Sequence, residues 1–500
     1  MPIVSEKRVT FRWQIDPECD LYTRNEFYLE FPEEIDLDLV PVDMLCRVML
    51  LCLHPQWILL QPCRIELPFT LPLREREVWI GLLRSYFDTL EAQRGLENVN
   101  LQIEFCGVGE PLAVSTLEIQ PSGRYATAVS GGKDSLVQLG MLRELGKRPI
   151  AIATTSPGSN SEDHISSRRR SVLTSLAALK DVTLIEVKSD LRSVVNNGFP
   201  LKLGYKKFAG YWLLDTFLYT ASLIIAGCAL GANRLFLASE CEVSENNYRY
   251  GRFIQMNHFM YSGLTQKAIS VLFSQYGVNY GSLIYSLHNH QVQSLLSRRY
   301  KDLRHLQFSC WKIKDNQGAC SQCGECRLLA FSLLWAGGSP VQMGVDLIVL
   351  LNTLDDLRLE QLNDKETDTL WRPDVGIRIR IDRNIVAMTR RISMFKLVCE
   401  LLKSPTARLF SAELWNALKQ FKALKRSIRH WPYSEMPGYR AAYLDLVDST
   451  VRDGVSRIFD QYFSRQAESD YLDMFHRQIH ETQRLTAPLL SEVDYVKLNG

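Results

Sequence analysis

The chain has 500 residues, 46% of them hydrophobic, and a formal net charge of +2 at pH 7. This composition supports two or three packed cores and argues against disorder, and the small net charge excludes a strong overall attraction to nucleic acid or anionic membranes. The N-terminal residues lack the pattern of a secretion signal, and the longest apolar run, Phe217 to Leu230, is too short to span a bilayer comfortably. We therefore expect a cytoplasmic protein without a membrane segment.

Residues 1–120 combine strand-like runs with two helical patterns and contain no recognisable catalytic motif. The strand-like runs are Phe27 to Phe31, Arg64 to Thr70 and Leu101 to Phe105, and the helical patterns lie near Val42 to Leu53 and Glu75 to Ala92. These patterns predict a small α+β domain, and the sequence does not indicate its role.

From Tyr125 onward, strand-like runs alternate with helical patterns. The strand-like runs are Tyr125 to Val129, Pro149 to Thr155, Val182 to Val187 and Arg234 to Ser239. This alternation predicts an α/β fold over residues 121–345, with a doubly wound parallel sheet. Ligands of such sheets bind beyond the carboxyl ends of the strands, so the turns that follow these runs are the candidate site.

The turn after the first of these strands has the sequence SGGKDS, from Ser130 to Ser135. Its two glycines allow backbone N–H groups to approach an anion closely, and the helix that follows adds its positive end. The serine hydroxyls can donate hydrogen bonds, Lys133 supplies a positive charge, and Asp134 can hold a magnesium ion or bond within the loop. The spacing is neither Walker A nor GxGxxG. We interpret it as a polyphosphate-binding loop, and an ordinary glycine turn is the alternative.

The SGGKDS run between a strand and a helix resembles the SGGxDS signature of the PP-loop ATP pyrophosphatase superfamily. In that superfamily the loop holds the departing pyrophosphate while a substrate atom attacks the α-phosphorus of ATP. The resemblance implies ATP and Mg2+ as cofactors and AMP and pyrophosphate as products. The ATP contacts that it implies are Ser130, Gly131, Gly132, Lys133, Asp134 and Ser135.

Other candidate residues follow the later strands. Thr154, with Thr155 and Ser156, ends the second strand, where the superfamily places the adenine, although hydroxyls that cap a loop explain these residues equally well. Glu240 follows the strand ending at Ser239. Together with Lys133 and Asp134 it is a candidate catalytic residue. The same loop contains further polar residues of a kind that loops often contain, namely Glu242, Ser244, Glu245, Asn247 and His258. The run Arg168 to Arg170 is interpreted as a solvent-facing helix start.

Four of the twelve cysteines are close together, at Cys310, Cys320, Cys323 and Cys326. The other eight are scattered, mostly among apolar neighbours, as core residues are in a reducing compartment. Four thiolates with two-residue gaps match a tetrahedral zinc ion, so we predict a structural Zn2+ site. An iron–sulfur cluster, disulfides and free thiols are the alternatives.

The combination of SGGKDS with this cysteine spacing resembles the 7-cyano-7-deazaguanine synthases over roughly Tyr125 to Leu334. Those enzymes adenylate a carboxylate and then use ammonia to reach a nitrile. This chain is about twice as long, and Lys133 stands where they usually have a hydrophobic or small residue.

The chain also resembles the ATP-dependent UDP-N-acetylmuramoyl-L-alanyl-L-glutamate epimerases, in SGGKDS, in the acidic run ASECEVS and in the pair Asn257 and His258. Both resemblances imply adenylation of a small-molecule or conjugated carboxylate, by a ligase or synthase or, alternatively, by an epimerase. A tRNA-modifying sulfurtransferase and an ATP sensor without turnover are further alternatives.

Residues 346–500 have mainly helical patterns and a local excess of positive charge. Between Lys365 and Arg429 there are 15 Lys or Arg and 6 Asp or Glu, and the cations include Arg378, Arg380, Arg383, Arg390 and Arg391. Solvated faces of amphipathic helices explain this excess, and a surface for a protein or nucleic-acid target is the other interpretation. The absence of interleaved aromatic residues in the sequence favours the first.

Overall fold

The structure is a computed structural model. It describes residues 2–16, 18–93, 101–117, 122–156, 163–196, 198–203, 212–241, 247–249, 252–254, 259–308, 310, 319–353, 388–427 and 438–466. The strands are β1 (Pro2–Ser5), β2 (Arg8–Arg12), β3 (Glu26–Glu30), β4 (Cys63–Leu67), β5 (Ile103–Gly107), β6 (Arg124–Ala128), β7 (Ile150–Thr155), β8 (Thr183–Ser189), β9 (Ala232–Phe236), β10 (Asn247–Arg249), β11 (Arg252–Ile254) and β12 (Asn279–Gly281).

The α-helices of the first 304 residues are α1 (Val42–Trp57), α2 (Leu73–Gln93), α3 (Lys133–Glu144), α4 (Asp163–Ala177), α5 (Leu191–Val194), α6 (Phe199–Lys202), α7 (Trp212–Ala229), α8 (Gly263–Ser274), α9 (Asn289–Arg298) and α10 (Lys301–Arg304). Those that follow are α11 (Gly324–Ala336), α12 (Leu347–Asn352), α13 (Met394–Leu401), α14 (Ala412–Ser427) and α15 (Ser449–Asp460). Short 3-10 helices cover Leu37–Leu39, Phe259–Tyr261, Val341–Met343 and Ala441–Leu446.

The main sheet has eight strands in the order β1-β2-β3-β8-β7-β6-β9-β12. Strands β8, β7, β6, β9 and β12 pair in parallel, and β1, β2 and β3 add antiparallel pairs at one side. The structure therefore confirms an α/β fold with a mostly parallel sheet. The chain adds β7 and β8 on one side of β6 and then β9 and β12 on the other, so the strand order reverses between β6 and β9.

The central strands are buried on both faces of the sheet. In β7, Ile150 and Ile152 belong to one hydrophobic core, while Ala151 and Ala153 belong to another. Successive side chains of a strand point to opposite faces, so a run of small and branched apolar residues separates two helical layers. Helices α1 and α7 pack on one face, and α3, α4 and α9 pack on the other.

Helix α7 contains most of the longest apolar run of the chain. It contacts β6, β7 and β9 and packs against α1, so its apolar side chains are buried inside the protein. Gly227 allows close approach to the sheet, because a Cβ at this position would lie 2.7 Å from Leu235 Cδ2. Among the described residues, no helix has both the length and the apolarity needed to cross a membrane.

The N-terminal strands extend the central sheet. Strand β3 pairs with β8 through Leu29 and Ser189 and through Glu30 and Lys188. The buried Arg47 of α1 donates hydrogen bonds to Glu75 on α2 and to the Tyr276 hydroxyl just after α8. These bonds connect α1 both to the N-terminal helix α2 and to the central region. The sheet and its core thus continue across residue 120, where the sequence predicts a domain boundary.

The C-terminal helices pack in two places. Helices α12, α13 and α14 form a third core with α11, and Cys310 and Cys326 belong to it. Residues 438–466 return to the layer of α3 and α9, where Val451, Val455 and Phe459 of α15 are buried. Of the α-helices described beyond residue 346, α12, α13 and α14 therefore pack against the cysteine-rich region and α15 packs against a helical layer of the main sheet.

Candidate functional site

The loop between β6 and α3 has a tight backbone that depends on glycine. Gly131 has a φ of +81°, a left-handed conformation that other residues rarely adopt. A Cβ at Gly131 would also lie 3.1 Å from Val172 Cγ1 on α4. Gly132 is the N-cap residue of α3 and has an extended backbone. The two glycines thus turn the chain sharply and aim the N-terminus of α3 at the end of β6.

Hydrogen bonds within the loop fix its shape. The Ser135 hydroxyl donates to the Gly132 carbonyl oxygen at 3.0 Å and accepts from the Ser130 N–H at 3.3 Å. The Ser130 hydroxyl accepts from the Gly132 N–H at 3.3 Å. The first N–H groups of an α-helix have no acceptor within the helix, so the start of α3 offers donors and a positive dipole end to an anion.

The candidate catalytic residues Lys133, Asp134 and Glu240 lie together. Lys133 Nζ donates to Asp134 Oδ1 at 2.8 Å and lies 3.5 Å from Glu240 Oε2. Burial lowers the pKa of Lys133, but Asp134 and Glu240 outweigh this effect and raise the pKa above its ordinary value. Asn289, at the start of α9, donates to Glu240 Oε1 at 3.0 Å. The group holds one positive and two negative side chains, which suits a site that also receives a cation.

A cavity of about 220 Å³ opens beside this loop, where the strand order reverses between β6 and β9. Its polar lining includes Ser130, Asp134, Ser135 and Glu240, and its apolar lining includes Ala128, Ile152 and Leu237. Crevices at such reversals are the usual ligand sites of open α/β sheets. The loop and the cavity therefore form one continuous candidate site.

Two tyrosines of the cavity wall, Tyr219 and Tyr261, were not among the sequence-predicted site residues. Tyr219 lies on α7, and its hydroxyl accepts from Arg192 Nη2 at 2.5 Å, while Arg192 Nε donates to Asp215 at 2.7 Å. The sequence signal was weak, since Tyr219 stands in a mainly apolar helix and neither tyrosine belongs to a motif.

Thr154 lies near the carboxyl end of β7 and is buried, while Ile152 is the β7 residue that lines the cavity. The neighbouring Thr155 hydroxyl donates to Glu186 Oε1 on β8 at 3.0 Å. Ser156 is half-buried just after the strand. The contact of Thr154 with adenine stays a prediction.

Several other candidates lie outside the described residues, namely Glu242, Ser244, Glu245, Asn257, His258, Arg378, Arg380 and Arg383. Asn247 lies on β10, where only the backbone is described. Arg168 and Arg170 are exposed on α4, and Arg168 donates to the His305 carbonyl oxygen at 3.4 Å. Arg391 is exposed and Arg390 is half-buried before α13.

The four clustered cysteines, Cys310, Cys320, Cys323 and Cys326, meet at one point. Their sulfur atoms all lie within 4.8 Å of one another. Cys326 Sγ lies 3.8 Å from Cys320 Sγ and 3.5 Å from Cys323 Sγ. Zinc–sulfur bonds of about 2.3 Å place the sulfurs of a tetrahedral site about 3.8 Å apart, so this spacing fits one metal ion. The cluster could therefore hold a metal, in agreement with the sequence prediction.

The electrostatics of the cluster also favour a cation. The pKa of the Cys326 thiol is raised by its hydrogen bonds to Cys310 and Cys323 and by burial, and repulsion from thiolates at these neighbours adds to the rise. A divalent ion would remove this penalty by binding the thiolates. The Cys320 N–H donates to Cys310 Sγ at 3.3 Å, as backbone amides commonly do at cysteine metal sites.

The cysteine cluster lies next to the glycine loop of Ser130 to Ser135. The Phe308 N–H, two residues before Cys310, donates to the Gly131 carbonyl oxygen at 2.8 Å. Glu325, between Cys323 and Cys326, interacts electrostatically with Lys133. Burial raises the pKa of Glu325, and Lys133 opposes that rise. Residues far apart in the chain thus contact this loop.

The resemblance to the PP-loop superfamily rests on the loop from Ser130 to Ser135 between a strand and a helix, and the four clustered cysteines bear only on the narrower resemblance to the 7-cyano-7-deazaguanine synthases. No protein-family model matches the chain, and no curated protein sequence matches it.

Proposed function

We propose that this chain is a PP-loop ATP pyrophosphatase that splits ATP into AMP and pyrophosphate and activates a substrate carboxylate as its adenylate. The observation that carries the proposal is the glycine loop of Ser130 to Ser135, which opens into a cavity where the strand order reverses. The expected chemistry is that of a 7-deazaguanine-type synthase or ligase.

The loop would hold the two outer phosphates of ATP. Its backbone N–H groups and the N-terminus of α3 would accept the negative charge, and Lys133 would contribute its ammonium group. Asp134 and Glu240 supply more negative charge than Lys133 neutralises, so these carboxylates would hold the Mg2+ that accompanies ATP. Bound magnesium lowers the charge on the phosphates and makes pyrophosphate a better leaving group.

The substrate would react in the part of the cavity that faces Glu240. A carboxylate oxygen attacks the α-phosphorus, the bond from that phosphorus to the bridging oxygen breaks, and pyrophosphate leaves with the electron pair. The apolar lining of Ala128, Ile152 and Leu237 would limit access of water, which would otherwise hydrolyse the acyl adenylate. The wall of Tyr219 and Tyr261 offers hydroxyl groups for orientation of the acid.

The cysteine cluster would serve as a structural zinc site. Four thiolates close the coordination sphere and leave no position for a substrate. The hydrogen bond from Phe308 to Gly131 would then connect the metal-bound segment to the phosphate loop. In this proposal zinc supports the site and takes no part in the reaction.

Exchange of labelled pyrophosphate into ATP, measured with a panel of candidate carboxylic acids, tests the shared step. We expect exchange that depends on one class of acid, and AMP formation once an acceptor for the acyl group is added. Absence of both exchange and AMP formation with every acid would overturn the proposal.

A matched pair of glycine variants tests the loop itself. Gly131→Ala places a methyl group in a left-handed conformation and against Val172, whereas Gly146→Ala has a similar φ of +71° but nothing within 4 Å of its Cβ. An alanine in the left-handed conformation of Gly131 costs about 1–3 kcal/mol, and this strain would distort the proposed phosphate site. We expect exchange to fall by at least about tenfold in Gly131→Ala only. Equal exchange by the two variants would argue against this loop as the ATP site.

A further inference from the structure

The large apolar side chains that are exposed to solvent concentrate in one short segment. Of the twelve found among the described residues, six lie between residues 394 and 415, namely Met394, Phe395, Leu402, Leu409, Phe410 and Trp415. The aromatic members stand well out of the surface, with exposures of 81% for Phe395, 83% for Phe410 and 53% for Trp415. Exposed aromatic residues in such a concentration are typical of a binding surface.

Helix α14 arranges one of these aromatics in a row with three cations. The row is Trp415, Lys419, Lys422 and Arg426, and all four residues are exposed. Spacings of four, three and four residues place them on one face of the helix. The opposite face is buried in the third core through Leu414, Ala417, Phe421 and Leu424. We call this row the α14 stripe.

The cations of the α14 stripe differ from their basic neighbours. Lys396 donates to the Leu334 carbonyl oxygen and Lys425 to that of Ile392, each at 2.6 Å, so these lysines serve the fold. Lys419, Lys422 and Arg426 have neither an ion pair nor a hydrogen bond from their side chains within the described residues. Within the described part of the chain, no carboxylate therefore neutralises their positive charge.

We propose that the α14 stripe binds single-stranded nucleic acid, with the cations along the phosphates and Trp415 stacked on a base. The stripe extends over about 16 Å, from the helical rise of 1.5 Å per residue, which is long enough to follow several successive phosphates. Phe410 precedes α14 and adds a second exposed aromatic ring near Trp415 in the chain. A cationic track with aromatic platforms is the usual architecture of sequence-tolerant single-strand binding.

The composition of the stripe distinguishes this partner from an acidic protein. Lysine is depleted in the cores of protein–protein interfaces. Three of the four residues of the α14 stripe are cations, and two of these are lysines. The sequence alone suggested that aromatic residues do not interleave with the basic ones. The helix brings Trp415 into line with Lys419, and this inference is independent of the proposed reaction.

Binding of a fluorescent single strand of about 12 nucleotides to the full chain, followed by anisotropy, tests the proposal. We expect Lys419→Glu with Lys422→Glu to weaken binding at least about tenfold, and to lower the slope of log affinity against log salt by about 1.4. The matched control is Arg74→Glu with Arg76→Glu, which changes the charge equally at two exposed positions on α2. Equal effects of the two pairs would overturn the proposal.

Trp415 provides the second measurement. Trp415→Ala should weaken binding by about tenfold, Trp415→Phe should retain most of it, and quenching of tryptophan emission by the oligonucleotide should disappear in both. Far-UV circular dichroism checks that each variant is folded. Absence of wild-type binding at about 50 mM salt would overturn the proposal. Competition by poly-glutamate or by anionic lipid vesicles equal to that by the oligonucleotide would also overturn it, and would indicate an acidic protein or a membrane surface.

Discussion

His54 on α1 is a buried histidine whose protonation the core opposes. Its ring packs against Trp79, Tyr86 and Phe217, and its Nδ1 lies 2.9 Å from the Leu51 carbonyl oxygen. Burial lowers the pKa of His54 to about 3, although the backbone carbonyls oppose part of this shift. The side chain is therefore neutral in the folded protein over the whole neutral and mildly acidic range.

We predict that His54 makes the protein less stable as the pH falls below 6.5. His54 binds a proton near pH 6.5 in the unfolded chain, but in the folded protein it stays unprotonated down to about pH 3. Its contribution to the free energy of unfolding is therefore fully present above pH 6.5 and is lost as the pH falls. Between these values the wild type should lose about 1.4 kcal/mol per pH unit more than His54→Phe. Urea unfolding at pH 7.5, 6.5 and 5.5 measures the difference. Parallel pH dependences of the two proteins would contradict the prediction.

The charged group at the candidate site depends on contacts between distant residues. Lys133 and Asp134 are neighbours in the chain, but Glu240 reaches Lys133 only because β6 and β9 are adjacent in the sheet. The sequence predicted that these residues share an edge, since the carboxyl ends of parallel strands meet there. It did not predict the bond from Asn289 to Glu240, because α9 carries no motif that points to the site.

At the scale of elements, α11 links the cysteine cluster to the third core. Cys323 is the N-cap residue of α11, and Cys326 lies in its first turn. Leu329, Phe331 and Leu333 of the same helix are buried with α12, α13 and α14. A metal at the cluster would thus fix the orientation of α11 against both the glycine loop of Ser130 to Ser135 and these helices.

We predict one zinc ion per chain and loss of that ion in Cys323→Ser. Because a structural zinc site contributes to folding, the variant should also unfold at a temperature at least about 5 °C lower. Metal analysis and thermal unfolding provide the two measurements. The control is Cys399→Ser, which alters a half-buried cysteine outside the cluster. Iron with visible colour in the wild type, or unchanged metal content in Cys323→Ser, would contradict the prediction.

Strand prediction succeeded where the local pattern was strong. The predicted runs from Tyr125, Pro149, Val182 and Arg234 correspond to β6, β7, β8 and β9 within a few residues at each end. Strands β1, β2 and β12 were not predicted, because they have only 4, 5 and 3 residues and such short runs give a weak pattern. Such strands are stabilised mainly by their partners in the sheet.

At the scale of the whole molecule, the first 120 residues and the central region share one sheet and one core. Phe27 and Leu29 of β3 are buried in the same core as Ile185 and Val187 of β8. At the other side, Asp448 after the last 3-10 helix accepts from Asn279 Nδ2 on β12 at 2.8 Å. The N-terminal strands therefore lie at one edge of the main sheet, and the C-terminal segment around Asp448 contacts the opposite edge.

We predict that a chain that begins at residue 121 does not fold stably. In this shorter chain β8 would no longer pair with β3, and the face of α7 that packs against α1 would be uncovered. A large apolar surface would therefore be exposed. A chain that begins at residue 7 loses only the edge strand β1 and should remain folded. Solubility, circular dichroism and thermal unfolding compare the two. A soluble protein with cooperative unfolding from residue 121 onward would show that residues 1–120 form a separate unit.

The sequence by itself determined the local elements of this protein: the glycine loop, the strand before it, the helix after it and the cysteine spacing. These features depend on backbone conformation, hydrophobic period and ligand geometry, which act over a few residues. Only the tertiary structure decided that β3 joins β8, that Tyr219 and Tyr261 line the cavity and that Phe308 bonds to Gly131. These contacts join residues tens to hundreds of positions apart, and they form only when packing of the whole chain brings those residues together.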